Sequence, residues 1–378
     1  MHNCILCGKK LKTIIYKLDN MPRLVQHMPS CEDLQDDSGM DLTLFQCEFC
    51  GLIQFDCDAV FYYKDVIRAG GFSDTMIRLR NEQFAHLIET YHLQCKKIWE
   101  VGCGKGEFLE ILRNYSVIPY GIENNIELAT EAQRNELNVI HGFAEEKFVD
   151  PRGPFDAFIS FNYLEHQPDP NSMIHCIYNN LNENGIGLVT VPSFEHFIEK
   201  ASYYEFMRDH IAYYTEKTLS LLFEINGFDI LEASRFNGDT TQIIVQKRRV
   251  IELPNFDAQK NAIQNQINEY IDRNALNSCA AAVWGASHQG LTILATLNMN
   301  IRMKYIVDSA TFKWGKYSPV SHLKIVAPDI LFHDNIDLVL IIAPAFSDEI
   351  ADMIIKNAPN VKHILAIKDD KVLIKKKV

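Results

Sequence analysis

The chain has 378 residues and a formal net charge of −12, from 49 acidic and 37 basic side chains. A nucleic acid is therefore an unfavourable partner, because binding to its phosphate backbone normally requires a basic face. With 47% hydrophobic and 23% charged residues the chain has the composition of a globular protein, and its length predicts more than one domain.

The first residues do not form a signal peptide, because Met1-His2-Asn3-Cys4 lacks a basic and then an apolar region. No window approaches the roughly 18 uninterrupted apolar residues of a membrane span. We therefore expect a cytoplasmic protein without a membrane partner, in which the ten cysteines are reduced thiols. Clustered cysteines in such a chain indicate a metal site or chemistry.

Residues 1–75 are rich in cysteine and turn residues. Their short apolar runs predict a fold that a hydrophobic core alone does not stabilise and that needs a cross-link such as a bound metal ion. Two Cys-x-x-Cys pairs, whose spacing is typical of structural zinc, are formed by Cys4, Cys7, Cys47 and Cys50. Cys31 or Cys57 could replace one member, and four unrelated buried thiols are the alternative. Four thiolates leave no open coordination position, so we assign the zinc to folding.

Residues 76–250 alternate between apolar strands and helix-length segments, which predicts a parallel sheet with right-handed crossovers. The predicted strands are 97–101, 120–123, 139–141, 155–161 and 187–191, and the predicted helices are 107–113, 127–137 and 172–181. Strands 229–233 and 242–246 then form a closing hairpin around Asn237-Gly238-Asp239.

Residues 251–378 predict a connecting helix and a second Rossmann-like α/β domain. The helix follows from the spacing of Ile263, Ile267, Tyr270 and Ile271. The predicted strands are 281–285, 304–308, 337–342 and 363–367. The lysine-rich stretch 371–377 reads as a solvated tail.

Glycines follow the first core strand in the segment Glu100-Val101-Gly102-Cys103-Gly104-Lys105-Gly106. Glycine permits a sharp turn and close approach to a ligand, and the helix beyond attracts negative charge. Glu123 ends the next strand, where a carboxylate can accept hydrogen bonds from ribose hydroxyls. Because Glu107 stands where a dinucleotide fingerprint has its third glycine, and Glu100 is unusual there, we favour S-adenosylmethionine over NAD.

This segment resembles the first motif of class I methyltransferases, and 155–166 resembles their donor-facing loop. The resemblance implies a cofactor site formed by Glu100, Gly102, Cys103, Gly104, Gly106, Phe108, Glu123, Ala144, Glu145, Phe161, Asn162 and His166. It places Glu100 and the glycines at the methionine end, Glu123 at the ribose and Ala144-Glu145 near the adenine. The alternative for Glu145 is a solvated helix cap.

A closer resemblance, over nearly the whole chain, is to the sugar C-methyltransferases. They share a cysteine-zinc module like 47–54, a class I methyltransferase core and a βα domain with segments like Gly285-Ala286-Ser287 and Val307-Asp308. The resemblance implies a methyltransferase that uses S-adenosylmethionine on nucleotide-linked keto-deoxysugars. It also implies an α/β fold with a small zinc module in front and a Rossmann-like domain behind.

That family has an acid-His pair before a Tyr-aromatic-Ser/Thr segment, which 209–215 resembles. His210 is therefore the candidate base for a proton next to a ketone, with Asp209 as its orienting partner. The family has glutamate in place of Asp209 and tyrosine in place of Met207. Tyr63 lies in a stretch resembling the one that lines the sugar pocket, so we add it to the catalytic group. The alternative for His210 is a packing or capping role.

Two other functions stay open. One is an oxygen or nitrogen methyltransferase on another small metabolite or glycan, and the other is a zinc-containing protein that binds a ligand without catalysis. In the last domain the Gly285 turn could hold a phosphate, with Lys313 and Lys316 nearby, or be a tight scaffold turn. We expect a small-molecule partner and a monomer or homodimer.

Overall fold

The computed structural model describes residues 3–65, 73–368 and 370–377, and the chain divides into the units Met1–Val250 and Ile251–Val378. The strands of the first unit are β1 (Thr13–Met21), β2 (Met40–Gln46), β3 (Ile53–Phe55), β4 (Lys97–Val101), β5 (Ile118–Glu123), β6 (Val139–His141), β7 (Phe155–Phe161), β8 (Leu181–Pro192), β9 (Ala212–Tyr213), β10 (Phe228–Phe236) and β11 (Thr240–Lys247). Its helices are α1 (Asp74–Thr90), α2 (Glu107–Leu112), α3 (Ile126–Arg134), α4 (Pro170–Asn180), α5 (Phe194–Lys200) and α6 (Glu216–Ile225).

The second unit has its own helices and strands. Its helices are α7 (Phe256–Arg273), α8 (His288–Thr296), α9 (Pro328–His333) and α10 (Ser347–Asn357). Its strands are β12 (Ala281–Trp284), β13 (Met303–Val307), β14 (Ile325–Val326), β15 (Leu338–Ile341), β16 (His363–Lys368) and β17 (Lys371–Lys377). Across the described residues, no helix combines the length and the apolarity needed to cross a membrane.

A seven-stranded sheet in the order β6-β5-β4-β7-β8-β11-β10 forms the main core of the first unit. β4 is parallel to β5 and β7, whereas β11 is antiparallel to β8 and β10. Ile98 and Trp99 are fully buried, as expected of a central strand that is covered on both faces. Because the chain passes from one side of β4 to the other, the carboxyl ends of β4 and β7 open a crevice where ligands bind in such sheets.

A four-stranded sheet in the order β1-β2-β3-β9 lies in the same unit. Its last strand comes from far along the chain: Ile53 pairs with Tyr213, and the Phe55 amide donates to the Ile211 carbonyl at 2.9 Å. The Phe55 ring meets the Tyr213 ring edge to face at 5.6 Å. The N-terminal segment therefore fixes the backbone that carries His210.

The six-stranded sheet of the second unit has the order β14-β13-β12-β15-β16-β17. Only its last pair, β16 with β17, is antiparallel among the strand pairs of this sheet in the described residues. On α7, the residues predicted to face the core do so, because Ile267, Tyr270 and Ile271 are buried. These strand orders confirm the predicted pair of Rossmann-like α/β sheets.

The prediction of a solvated tail at residues 371–377 is wrong, because this stretch forms the edge strand β17. Its lysines lie at the two ends of the strand, with Val372, Leu373 and Ile374 between them, and lysines are common on edge strands. Val372 packs on the core of the second unit, and Lys376 Nζ donates to the Val361 carbonyl at 2.6 Å. Lys375 pairs with Asp348 on α10.

Candidate functional site

A cavity of about 900 Å³ opens where β4, β5 and β7 end. Its volume is in the range of small-molecule and cofactor sites. Its wall combines the glycine loop, the end of β5, the loop after β7 and the segment before β9. Representative lining residues are Gly102, Gly104, Glu123, Tyr163, His166 and His210.

The glycine loop adopts a backbone that side chains would oppose. Gly102, Gly104 and Gly106 have φ of 76°, 58° and 89°, which is the left-handed region. At Gly106 a Cβ would also come within 2.2 Å of the Leu137 side chain. Gly102 and Gly104 line the cavity, whereas Gly106 serves the packing of the loop on α3 and the segment after it.

Glu123 braces this loop from the end of β5. One carboxylate oxygen accepts from the Gly104 amide and the other from the Asn125 amide, each at 2.8 Å. The Glu123 side chain is buried at the cavity wall. Burial of Tyr163, and to a lesser extent the nearby charge of Glu123, raises the pKa of Tyr163 above its usual range. A carboxylate oxygen can accept more than one hydrogen bond.

Other predicted cofactor residues divide into two groups. Phe108, Phe161, Asn162 and His166 line the cavity, and Asn162 accepts from the Thr190 hydroxyl at 2.9 Å. Four do not appear among the described lining residues: Glu100, Cys103, Ala144 and Glu145. Of these, Glu100 on β4 and Cys103 in the glycine loop are fully buried, and the exposed Glu145 lies 3.8 Å from Lys64.

Arg80 on α1 is a cavity residue that the sequence analysis missed. Its side chain is 5% exposed, and its guanidinium lies 3.8 Å from the centroid of Phe161 and 4.7 Å from that of Phe108. A buried arginine stacked on two rings of a cofactor cavity suits an anionic group of a ligand. Its only sequence signal was its place on the apolar face of α1, next to Leu79 and Phe84.

Two histidines meet at the cavity wall: His210, the candidate base, and His166, which was predicted as a cofactor residue. The His166 and His210 rings are 4.7 Å apart and nearly perpendicular, at 75°. His166 Nδ1 donates to the Asp209 backbone carbonyl at 2.8 Å, which assigns its proton to Nδ1. One ligand atom each of Glu165, His166 and His210 lies within 4.8 Å of the others.

Burial disfavours the charged forms of these groups. It lowers the pKa of His166 to about 4 and, together with the neighbouring His166, that of His210 to about 3. It raises the pKa of Glu165 to about 8. It also raises the pKa of Asp209, although the Tyr62 hydroxyl and the Val25 amide oppose this rise.

The structure places two predicted contacts differently. The Asp209 carboxyl group lies beside the Tyr62 hydroxyl and the Val25 amide, and Asp209 contacts His166 through its backbone carbonyl. Within the described residues, His210 Nδ1 has no hydrogen-bond partner, so the predicted orienting hydrogen bond to that nitrogen is not formed. Tyr63 packs edge to face on Phe143, at 6.1 Å, and is absent from the described cavity lining. Its neighbour Tyr62 is the tyrosine beside Asp209.

The four predicted zinc ligands converge. Their sulfur atoms all lie within 4.8 Å of one another, and the shortest separations are 3.4 Å for Cys4–Cys50 and 3.5 Å for Cys7–Cys47. A tetrahedron of 2.3 Å Zn–S bonds has S–S edges of about 3.8 Å, so the set fits zinc. The Cys50 thiol lowers the pKa of Cys4 to about 5, which favours a thiolate. Cys31 and Cys57 lie outside the group.

The Gly285 turn of the second unit is closed by its own side chains. Asp308 accepts from the Ala286 amide at 2.8 Å and from Lys313 Nζ at 2.9 Å. Lys313 also donates to the Ala286 carbonyl at 3.0 Å, so its charge is already paired. Of the two alternatives for this turn, these contacts favour the tight scaffold turn over the phosphate site.

Comparisons with known proteins agree with this architecture. Residues 76–233 match a family described as a methyltransferase domain, and residues 246–364 match one described as a C-methyltransferase C-terminal domain. The ubiquinone biosynthesis O-methyltransferase of Glaesserella parasuis serovar 5 (strain SH0165) is 28% identical over 101 residues, which cover 24% of this chain. The matched part spans 43% of that relative, less than half of its length.

Several solved structures are similar to about half of the chain. One is an S-adenosylmethionine-dependent methyltransferase from Clostridium acetobutylicum ATCC 824, at 13% identity and a TM-score of 0.39, over 50% of this chain and 96% of the other. Another is the PH0226 protein from Pyrococcus horikoshii OT3, at 14% identity and a TM-score of 0.41, over 50% of this chain and 100% of the other.

Proposed function

Since the chain belongs to the S-adenosylmethionine-dependent methyltransferases that carry a C-methyltransferase C-terminal domain, we propose that it methylates a carbon atom next to the ketone of a nucleotide-linked keto-deoxysugar. One observation carries the proposal. The buried His166 and the half-buried His210 form an uncharged pair on the wall of the same cavity that contains Gly104 and Glu123. A proton acceptor and a donor site thus share one cavity.

The chemistry requires a base because carbon next to a ketone becomes nucleophilic only after it loses a proton. His210 takes this proton. The enolate carbon then forms a carbon–carbon bond with the methyl group while the methyl–sulfur bond of the sulfonium breaks, and the sulfur leaves as a thioether. Burial and the neighbouring His166 lower the pKa of His210 to about 3. A developing enolate next to the ring stabilises the imidazolium and raises that pKa during the reaction.

The donor is held, on this proposal, by Gly102, Gly104 and Glu123, with Glu123 accepting from the ribose and Arg80 facing the carboxylate of the methionine part. Asp209 and Tyr63 stay in the proposal as residues near the acceptor, with Tyr62 added. We further propose structural zinc on the four cysteines, the boundaries 1–75, 76–250 and 251–378, and a cytoplasmic location.

The second candidate is transfer to oxygen or nitrogen of another small metabolite or glycan. Two observations favour it: Met207 replaces the tyrosine of the sugar C-methyltransferases, and the curated relative is named an O-methyltransferase.

The test supplies donor with a carbon-13 methyl group and a panel of nucleotide-linked 4-keto-6-deoxyhexoses, and follows the product by NMR. A new methyl bonded to carbon, absent with His210→Ala, supports the proposal. A methyl bonded to oxygen or nitrogen supports the second candidate instead. Donor binding without any methylated product would refute both acceptor classes in the panel.

A further inference from the structure

Glu165, His166 and His210 are a second group, besides the four cysteines, whose ligand atoms are close enough to bind one metal ion. The three atoms lie within 4.8 Å of one another at the cavity wall. One carboxylate and two imidazoles bind divalent ions such as Zn²⁺, Co²⁺ and Ni²⁺. They suit Mg²⁺ and Ca²⁺ poorly, because those ions prefer oxygen ligands.

The surroundings of His166 match those of a metal ligand. Its Nδ1 donates to the Asp209 carbonyl at 2.8 Å, which leaves Nε2 as the nitrogen with a free lone pair. Metal-ligating histidines almost always donate their other nitrogen to a carbonyl or carboxylate in this way. The ring is 5% exposed, so its orientation is also fixed by packing.

Two polar atoms of the group lack a partner in the part of the chain that the structure describes. They are Glu165 Oε2, on a side chain that is 2% exposed, and His210 Nδ1. A buried carboxylate oxygen without a donor is costly, and a cation would satisfy it. Asp209, the residue before His210, is 1% exposed, and its carboxyl group lies beside Tyr62.

We infer that Glu165, His166 and His210 bind one divalent transition-metal ion, and that this ion inhibits methyl transfer. The inhibitory part rests on the proposed function: a metal ion bound to His210 takes the lone pair that the base needs. Metal binding itself does not depend on which acceptor is methylated. The cavity leaves room for a water molecule at the remaining coordination positions.

The binding test uses the full chain after its cysteine site is filled with Zn²⁺ and loosely bound metal is removed. Co²⁺ is then titrated and followed by calorimetry and visible absorption. We expect one equivalent whose spectrum lacks the intense bands of cobalt–thiolate bonds. Glu165→Gln is expected to weaken this binding at least about tenfold, whereas His175→Ala, which removes an exposed histidine, leaves it unchanged.

Donor binding by Glu165→Gln would show that loss of Co²⁺ binding in this variant is not caused by misfolding. The titration of the wild-type protein tests metal binding without the variant. Absence of the thiolate-free equivalent would overturn the inference and leave the proposed function intact. With an acceptor in hand, turnover should fall as that equivalent binds. Binding that accelerates turnover would instead refute both the inhibitory role and His210 as the base.

Discussion

The His166 imidazole donates from Nδ1 to the Asp209 backbone carbonyl at 2.8 Å, and this hydrogen bond joins the loop after β7 to the segment before β9. Both loops carry residues of the candidate acceptor site. His166 thus contacts the backbone next to His210 as well as the His210 ring, whose centroid is 4.7 Å from its own.

Asparagine at position 166 should preserve part of this arrangement. Its amide can donate from about the position of Nδ1, whereas alanine cannot donate at all. We expect both variants to lower kcat, with the kcat of His166→Ala about tenfold below that of His166→Asn. The Kd for the donor should change little in either variant. Equal losses in the two variants would show that the bond to Asp209 does not matter for the reaction.

Replacement of the candidate base separates binding from chemistry. His210→Ala is expected to lower kcat by about 10²- to 10⁴-fold, the usual contribution of a general base, while the donor Kd stays within about twofold. Asp209→Asn is the matched variant, because it keeps the backbone carbonyl that His166 contacts. A His210→Ala enzyme with wild-type turnover would rule out the base assignment.

Glu123 and Glu145 make a matched pair for the donor site. Glu123→Gln changes a carboxylate that accepts from the Gly104 and Asn125 amides, so we expect the donor Kd to rise at least about tenfold. Glu145→Gln changes an exposed side chain near Lys64 and should alter the Kd by less than about twofold. Calorimetry with S-adenosylhomocysteine measures both. A larger effect at Glu145 would restore it to the adenine site.

We expect Cys47 in the four-cysteine group to contribute both to zinc binding and to the stability of the first unit. Cys47→Ser should abolish binding of one equivalent of zinc and lower the free energy of unfolding, because Cys47 is buried in the main core. Cys57→Ser is the control, since Cys57 lies outside the four-sulfur group. Metal analysis and thermal unfolding check both. Zinc retained at full stoichiometry in Cys47→Ser would exclude the four-cysteine site.

The sequence predicted the parts of the fold that depend on local signals. The strand and glycine loop at 97–106 are contiguous in the chain, and the acid at Glu123 ends the next strand, so spacing alone located both. The pairing of β3 with β9 brings together residues about 160 positions apart and has no local signal. For the same reason the sequence selected Tyr63, although tertiary packing places Tyr62 beside Asp209.

Roles that depend on where a side chain lies in the folded protein could not be predicted from the sequence either. Ala144, Cys103 and Glu100 stand in motif positions, yet they are buried and absent from the described cavity lining. Arg80 lies before the first motif, where helix periodicity indicates only a buried face. The backbone contact of Asp209 is invisible to any reasoning from residue type, because every residue has a carbonyl.

The edge strand β17 is joined to the second unit by both a side chain and a backbone amide of Val372. Val372 packs on the core of the second unit, and its amide donates to the Gln266 side chain at 3.0 Å. Val372→Asp would bring a charge against that core, so we expect faster hydrogen exchange of the β16 amides and a lower unfolding temperature. Ile374→Asp is the control, because Ile374 is 56% exposed. If both variants exchange like the wild type, residues 371–377 do not contribute to the stability of this sheet.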